Sequence, residues 1–165
     1  MESNSRGGAT FKVLLPVSSE AGQGTGKRGI PDMRMDTGML KILIMDDEES
    51  YRDSLRQVLE YMGHYVRAVA DGVQAMEVYS DAHRNGETFD IVIMDLTIPG
   101  GMGGKQAVAE LSKNHPEIRA IVSSGYYDDP VMADFESYGF RGALKKPFYV
   151  EDLVGEINQI VKEND

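Results

Sequence analysis

The chain is predicted to fold as a doubly wound α/β domain, a five-stranded parallel sheet with helices on both faces. Three observations predict it. From Met39 onward, short apolar runs alternate five times with stretches of helical periodicity. Alternation of this kind specifies a parallel sheet covered by helices, and right-handed crossovers reduce the topologies to a doubly wound sheet. Two of the runs, "ILIM" at 42–45 and "IVIM" at 91–94, are apolar at every position, as strands buried on both faces are. The residues able to do chemistry follow the runs directly, and ligands in such sheets bind beyond the carboxyl ends of the strands.

Taken in order, Leu40–Met45 reads as the first strand. Tyr51, Leu55, Val58, Leu59 and Met62 follow at i, i+4, i+7, i+8 and i+11, an amphipathic helix. Gly63 stands where a helix C-terminal glycine belongs. His64–Ala70 is the second strand, and Asp71 can cap a helix running to about Arg84 with Val73, Met76 and Tyr79 facing inward. Phe89–Met94 is the third strand, Gly104–Asn114 the third helix and Ile118–Ser123 the fourth strand. Asp129-Pro130 is an N-cap with proline at the first helical position. Val131, Phe135 and Tyr138 continue that helix to Gly139. Arg141–Lys145 is a short fifth strand, and Val150, Leu153, Ile157, Ile160 and Val161 mark the last helix.

Composition narrows the function. The 165 residues carry a formal net charge of −10 and no cysteine. Disulfides and thiolate metal sites are excluded, and direct nucleic-acid binding is disfavoured because phosphates need Lys and Arg. No apolar stretch approaches the roughly 20 residues that span a membrane, and no signal-peptide layout opens the sequence. A cytoplasmic protein without membrane contact is expected. The charge is uneven: residues 1–38 have a net of +1 and hold seven of the 18 glycines, while the remainder carries −11. Between Ser18 and Gly38 only Ala21, Ile30, Met33 and Met35 are apolar, too few to offset chain entropy. Residues 18–38 are read as a flexible linker, and 39–165 as the folded domain.

"KILIMDDEES", residues 41–50, breaks from an apolar strand into four acids. Asp46 and Asp47 end strand one and Asp95 ends strand three. Ser123, Ser124 and Gly125 follow strand four, and Lys145, Lys146 and Pro147 follow strand five. Topology brings all of them to one edge of the sheet. Carboxylates that close raise each other's pKa unless a cation neutralises them. Mg²⁺ suits the set, being hard, oxygen-seeking and content with one or two carboxylates plus phosphate oxygens and water. Asp95 could then attack a phosphoryl group, with a lysine ammonium pairing the phosphate as a point charge.

"ILIMDDEES", "IVIMDLTIPGGMGG", "AIVSSGY" and "LKKPF" resemble the response-regulator receiver domain over residues 40 to about 163. The resemblance implies a flavodoxin-like sheet of order 2-1-3-4-5. It implies that Asp46 and Asp47 anchor Mg²⁺, that Asp95 is both phosphoacceptor and metal ligand, and that the backbone carbonyl of Thr97 completes the protein ligands. Ser124 matches the family's switch hydroxyl, with Ser123 pointing away, and Lys146 matches its phosphate-pairing lysine, usually before a cis proline. The implied donor is a histidine kinase or histidine phosphotransfer protein, and the chain would be a signalling module rather than an enzyme. One departure is Ala143: many receivers carry Tyr or Phe at that place, whose ring moves with the hydroxyl residue.

"GGATFKVLLPV", residues 7–17, resembles the last strand of a histidine-kinase ATP-binding domain. Residues 1–17 would then be the remnant of such a domain, and the chain the C-terminal receiver of a hybrid sensor kinase.

Other classes fit less well. A haloacid-dehalogenase-like phosphatase needs Asp-x-Asp after strand one, where Asp46-Asp47-Glu48 stands. A flavodoxin-like electron carrier needs a phosphate loop there, and four acids would repel the phosphate. The alternative kept open is a non-phosphorylated pseudo-receiver acting as a protein-binding module. "GGMGG" at 100–104 lacks the Gly-Lys-Ser/Thr of a nucleotide loop and reads as a flexible loop. His64, His83 and His115 share no ligand spacing and read as structural or exposed.

Overall fold

A computed structural model describes residues 38–126 and 128–162. The expected kinase remnant at 1–17 lies outside the described residues, as does all of the expected linker except Gly38. Five strands alternate with five helices: β1 (Lys41–Met45), α1 (Glu49–Tyr61), β2 (Tyr65–Val69), α2 (Gly72–Arg84), β3 (Ile91–Asp95), α3 (Gly104–Asn114), β4 (Ala120–Ser124), α4 (Pro130–Ala133), β5 (Gly142–Lys145) and α5 (Val150–Lys162). The strands form one sheet in the order β2-β1-β3-β4-β5, and every neighbouring pair is parallel. The sequence expectation and the observed order agree.

The sheet separates two apolar clusters. Leu43, Met45, Val92, Met94, Ala120 and Val122 face one side, where Ala75 and Tyr79 of α2 and Ala107, Val108 and Leu111 of α3 cover them. Ile42, Ile44, Ile91, Ile93 and Ile121 face the other, under Leu55 and Leu59 of α1 and Leu153, Ile157 and Ile160 of α5. Consecutive strand residues alternate between the clusters, so "ILIM" and "IVIM" are apolar throughout because both faces are covered. Each fully buried Leu or Ile contributes about 1.5–3 kcal/mol, which fixes the register and with it the position of every strand end.

Local signals act as expected at several joints. Gly63, just after the α1 C-cap, has φ +92°, a left-handed conformation open to glycine. The Asp71 carboxylate accepts the Gln74 amide at 2.9 Å, capping α2, and Asp129 accepts the Val131 amide at 2.9 Å to open α4 at Pro130.

Three expectations need correction. The fourth helix is not continuous to Tyr138. It stops at Ala133, Asp134 leaves the helical region at φ −141° and ψ 55°, and a 3₁₀ turn covers Phe135–Tyr138 before Gly139. Val131, Phe135 and Tyr138 share a helical spacing, yet a single α turn plus a tighter 3₁₀ turn brings them to the same side. Val73 does not face inward but is exposed, because Gly72, Ala75 and Tyr79 form the buried stripe of α2. Gly103 is not a flexible-loop residue, and Gly104 opens α3 as the helix expectation placed it. Gly103 is the N-cap of α3 and Gly104 its first residue, and a Cβ on Gly104 would stand 2.8 Å from the Asp95 carbonyl oxygen.

Candidate functional site

The carboxyl ends of β1, β3, β4 and β5 meet at one edge of the sheet, around the switch in strand order between β1 and β3. Asp46 leaves β1 and is almost fully buried. Its Oδ1 accepts the Glu48 amide at 2.9 Å, and the Arg52 guanidinium donates to its backbone carbonyl at 2.5 Å. Asp95 is the last residue of β3, and its Oδ1 accepts the Thr97 amide at 3.1 Å. Lys146 follows β5 at a cis Lys146-Pro147 bond. Its ammonium donates to Asp46 Oδ2 and to Asp95 Oδ2, each at 2.6 Å. Asp47 is exposed beside them, and one oxygen from each of Asp46, Asp47 and Asp95 lies within 4.8 Å of the others.

The electrostatics follow from that packing. Burial raises the Asp46 pKa above the usual carboxylate value; Lys146 and the Glu48 amide oppose the rise, and Asp95 adds to it. Burial alone would lower the Lys146 pKa, but hydrogen bonds to Asp46 and Asp95 outweigh it and hold the ammonium above the ordinary lysine range. The lysine therefore stays charged, while the acidic cluster still lacks charge compensation: three carboxylates face one ammonium. Three closely spaced hard oxygen donors match what Mg²⁺ requires, so the residues present fit that ion.

Ser124 is buried at the end of β4, and its backbone carbonyl accepts the Lys146 amide at 2.8 Å. Its hydroxyl accepts the Tyr126 amide at 3.1 Å. Among the described residues no hydrogen bond joins that hydroxyl to Asp95 or Lys146. Ser123 is also buried and sits by the Tyr51 hydroxyl on the α1 side. Thr97 is placed through its amide on Asp95.

The sequence did not single out Tyr51, which was read only as the first apolar position of α1. The Lys146 ammonium stands 4.4 Å from the Tyr51 ring centroid, and Phe148 meets the same ring edge-on at 6.1 Å. A cation over a tyrosine face is worth about 0.5–2 kcal/mol. Tyr51 thus helps to aim the ammonium, and burial pushes its phenol pKa well above the usual value. The signal was its place five residues after Asp46, on the turn of α1 that overhangs the strand ends.

The three histidines, read as sharing no ligand spacing, divide. His64 is buried alone and its Nδ1 accepts the Leu40 amide at 3.2 Å. His83 and His115 come together with Glu117 far from the carboxylates.

A parallel doubly wound sheet with acids at its switch-side edge and a lysine bridging them defines a class of α/β domains with an acidic site beyond the strand ends. Within that class, the chain belongs to the response regulator receiver domain family, which it matches over residues 42–158. It is 28% identical to the sensor kinase CckA of Brucella abortus over 96% of this chain and 17% of that one, so it spans about a sixth of that relative's length. It is 29% identical to the chemotaxis protein CheY of Thermotoga maritima over 74% of this chain and 98% of that one. The receiver domain structure from Clostridium thermocellum superposes with a TM-score of 0.68 and 25% identity, covering 76% of this chain and 97% of that chain. No helix among the described residues is long and apolar enough to cross a membrane.

Proposed function

We propose that the domain is the phosphoacceptor of a two-component phosphorelay, taking a phosphoryl group from phosphohistidine onto Asp95. The observation that carries this reading is the Lys146 ammonium held 2.6 Å from both Asp46 and Asp95. That geometry keeps a cation beside the reacting carboxylate and beside its acidic neighbour. An Asp95 oxygen bonds to phosphorus as the P–N bond of phosphohistidine breaks. The electron pair leaves with the imidazole, which takes up a proton from solvent. Asp46, Asp47, Asp95 and the Thr97 carbonyl would hold Mg²⁺, whose charge offsets that of the phosphoryl oxygens when bound. Lys146 then pairs with a phosphoryl oxygen, a charge-assisted contact stronger than a neutral one. Ser124 exchanges its Tyr126 amide contact for another phosphoryl oxygen and so carries the switch.

The donor in this reading is a histidine kinase or histidine phosphotransfer protein in the cytoplasm, and the domain accepts the phosphoryl group from its phosphohistidine rather than generating phosphohistidine. The alignment with a sensor kinase over nearly the whole chain supports placing this receiver in a hybrid kinase, with residues 1–17 from an ATP-binding domain, 18–38 a linker and 39–165 the receiver.

Acetyl phosphate with Mg²⁺ tests the site. Intact-mass analysis should show one acid-labile phosphoryl group on the wild type, none on Asp95→Asn, and far less on Asp47→Ala at limiting Mg²⁺. Labelling that survives Asp95→Asn overturns the assignment. A wild type that takes no label from acetyl phosphate or from a phosphorylated histidine phosphotransfer protein would favour the pseudo-receiver reading.

A further inference from the structure

The N-terminal edge of the sheet, opposite the carboxylate cluster, gathers a second set of ligand groups. His83 lies in the last turn of α2, His115 is the C-cap of α3, and Glu117 lies between α3 and β4. Glu117 Oε1 stands 3.7 Å from Nδ1 of His83 and 3.7 Å from Nδ1 of His115. One ligand atom from each of the three residues lies within 4.8 Å of the other two, and the imidazole centroids are 4.4 Å apart.

The scaffold behind these groups is firm. His115-Pro116-Glu117-Ile118 forms a turn closed by the Ile118 amide donating to the His115 carbonyl at 3.0 Å. Proline stands at its second position, where its fixed φ favours the turn. The turn folds Glu117 back beside the histidine that precedes it by two residues. Buried Tyr79 meets the His115 ring edge-on at 5.1 Å and limits its rotation. The His115 side chain is only 10% exposed, and among the described residues its Nδ1 finds no hydrogen-bond partner. Buried polar atoms are rarely left so, and each such atom calls for an explanation such as an ion. His83 is half exposed and can adjust.

We propose that His83, His115 and Glu117 form a second divalent-metal site, selective for a zinc-type ion. Two imidazole nitrogens and one carboxylate oxygen make a donor set that zinc accepts, with a fourth position left to water. The same set disfavours Mg²⁺, which seeks oxygen alone. Bonds of about 2.1 Å to a tetrahedral zinc put neighbouring ligand atoms about 3.4 Å apart. The two carboxylate–imidazole separations are within a few tenths of an ångström of that, and the imidazole–imidazole separation, within 4.8 Å, would close by rotation of the half-exposed His83. A metal here staples the end of α2 to the turn entering β4. It leaves the proposed phosphoacceptor edge free, so this site does not depend on the proposed chemistry at Asp95.

Zinc titrated into the full chain with Mg²⁺ in excess tests the proposal by calorimetry, thermal melting and histidine ring NMR. One zinc should bind per chain and raise Tm. The ring signals of His83 and His115 should shift while those of His64 stay in place. His83→Ala, at an exposed position that should not disturb folding, and Glu117→Gln should each weaken zinc at least tenfold, since losing even an outer-shell partner costs about 10–100-fold. Asp47→Ala should retain zinc. The site is overturned by an absence of heat and melting shift, by unchanged affinity in His83→Ala, or by zinc lost in Asp47→Ala, which would put the ion on the carboxylate cluster.

Discussion

The Lys146 ammonium and the Asp95 carboxylate, 51 residues apart in sequence, are joined at 2.6 Å, and the same ammonium reaches Asp46 at the same distance. The side chains are 18%, 14% and 3% exposed, in that order, so the contact is largely out of water. Breaking such a pair leaves a buried charge uncompensated, at a typical cost of 3–5 kcal/mol. Lys146→Met should therefore lower stability by about 3 kcal/mol at neutral pH without added metal. Mg²⁺ should restore part of the loss, since it neutralises the same acids. Urea unfolding of both proteins with and without Mg²⁺ measures this, and equal stabilities would show that the pair is not coupled to the fold.

His64 predicts an acid limb in the stability curve. Burial lowers its pKa from the ordinary histidine value, and its Nδ1 accepts the Leu40 amide, which a protonated ring cannot do. The folded state therefore favours neutral imidazole. The stability this contributes is complete above the unfolded value of about 6.5 and is lost as pH falls through the lower folded pKa. One such proton steepens the curve by at most about 1.4 kcal/mol per pH unit. His64→Gln should make the loss of stability below pH 6.5 less steep. An unchanged slope would assign the acid limb elsewhere.

Two glycines should respond to alanine with opposite signs. A Cβ on Gly104 would lie 2.8 Å from the Asp95 carbonyl oxygen and 3.1 Å from Met94 Cβ. It would push α3 away from the end of β3, at an overpacking cost of about 1–3 kcal/mol. Gly104→Ala should also slow labelling of Asp95, because the strand end that carries it must shift. Gly155 lies within α5 with nothing near its missing Cβ. Gly155→Ala should stabilise by about 0.5–1 kcal/mol through helix propensity. Thermal melts of the two variants settle both signs.

The glycine pair shows where the sequence stopped being informative. Strand positions and the carboxylate–lysine edge were legible because apolar periodicity is strong and a parallel sheet fixes where strand ends go, whereas the strand order came from the resemblance to receiver domains. "GGMGG" was ambiguous because a loop glycine and a close-packed one look alike without their neighbours. Val73 and Ala75 both lie on α2, and only the packing of that helix over the sheet put the smaller residue in the core. The break at Asp134 has no marker, since the apolar spacing of Val131, Phe135 and Tyr138 fits an unbroken helix. His83 and His115 are 32 residues apart, and only the packing of α2 beside α3 brings them together. Tyr51 carried an ordinary core signal, and its position over Lys146 depends on how α1 crosses the strand ends.

Ala143 sets the last prediction, which concerns how far a signal at Asp95 travels. In relatives with a tyrosine or phenylalanine at this place, a ring fills the space behind the switch hydroxyl. Ala143 has no ring, and its amide donates to Glu156 of α5 at 2.9 Å, so β5 is tied to the helix that covers it. Ser124 can move, because among the described residues its hydroxyl holds only the Tyr126 amide and the following Gly125 is unencumbered. Activation should therefore rearrange the loops after β3 and β4 while α4, β5 and the start of α5 change little. Fluoroberyllate, a mimic of the phosphorylated aspartate, can be added with Mg²⁺ and followed by amide chemical shifts. The largest shifts should fall at 95–104 and 124–129, with those across 131–150 less than about half as large. Shifts across 131–150 as large as those beside Asp95 would show that another group, with exposed Tyr126 the first to test, replaces the missing ring. Tyr126→Ala would then collapse the distant shifts and leave those near Asp95 in place.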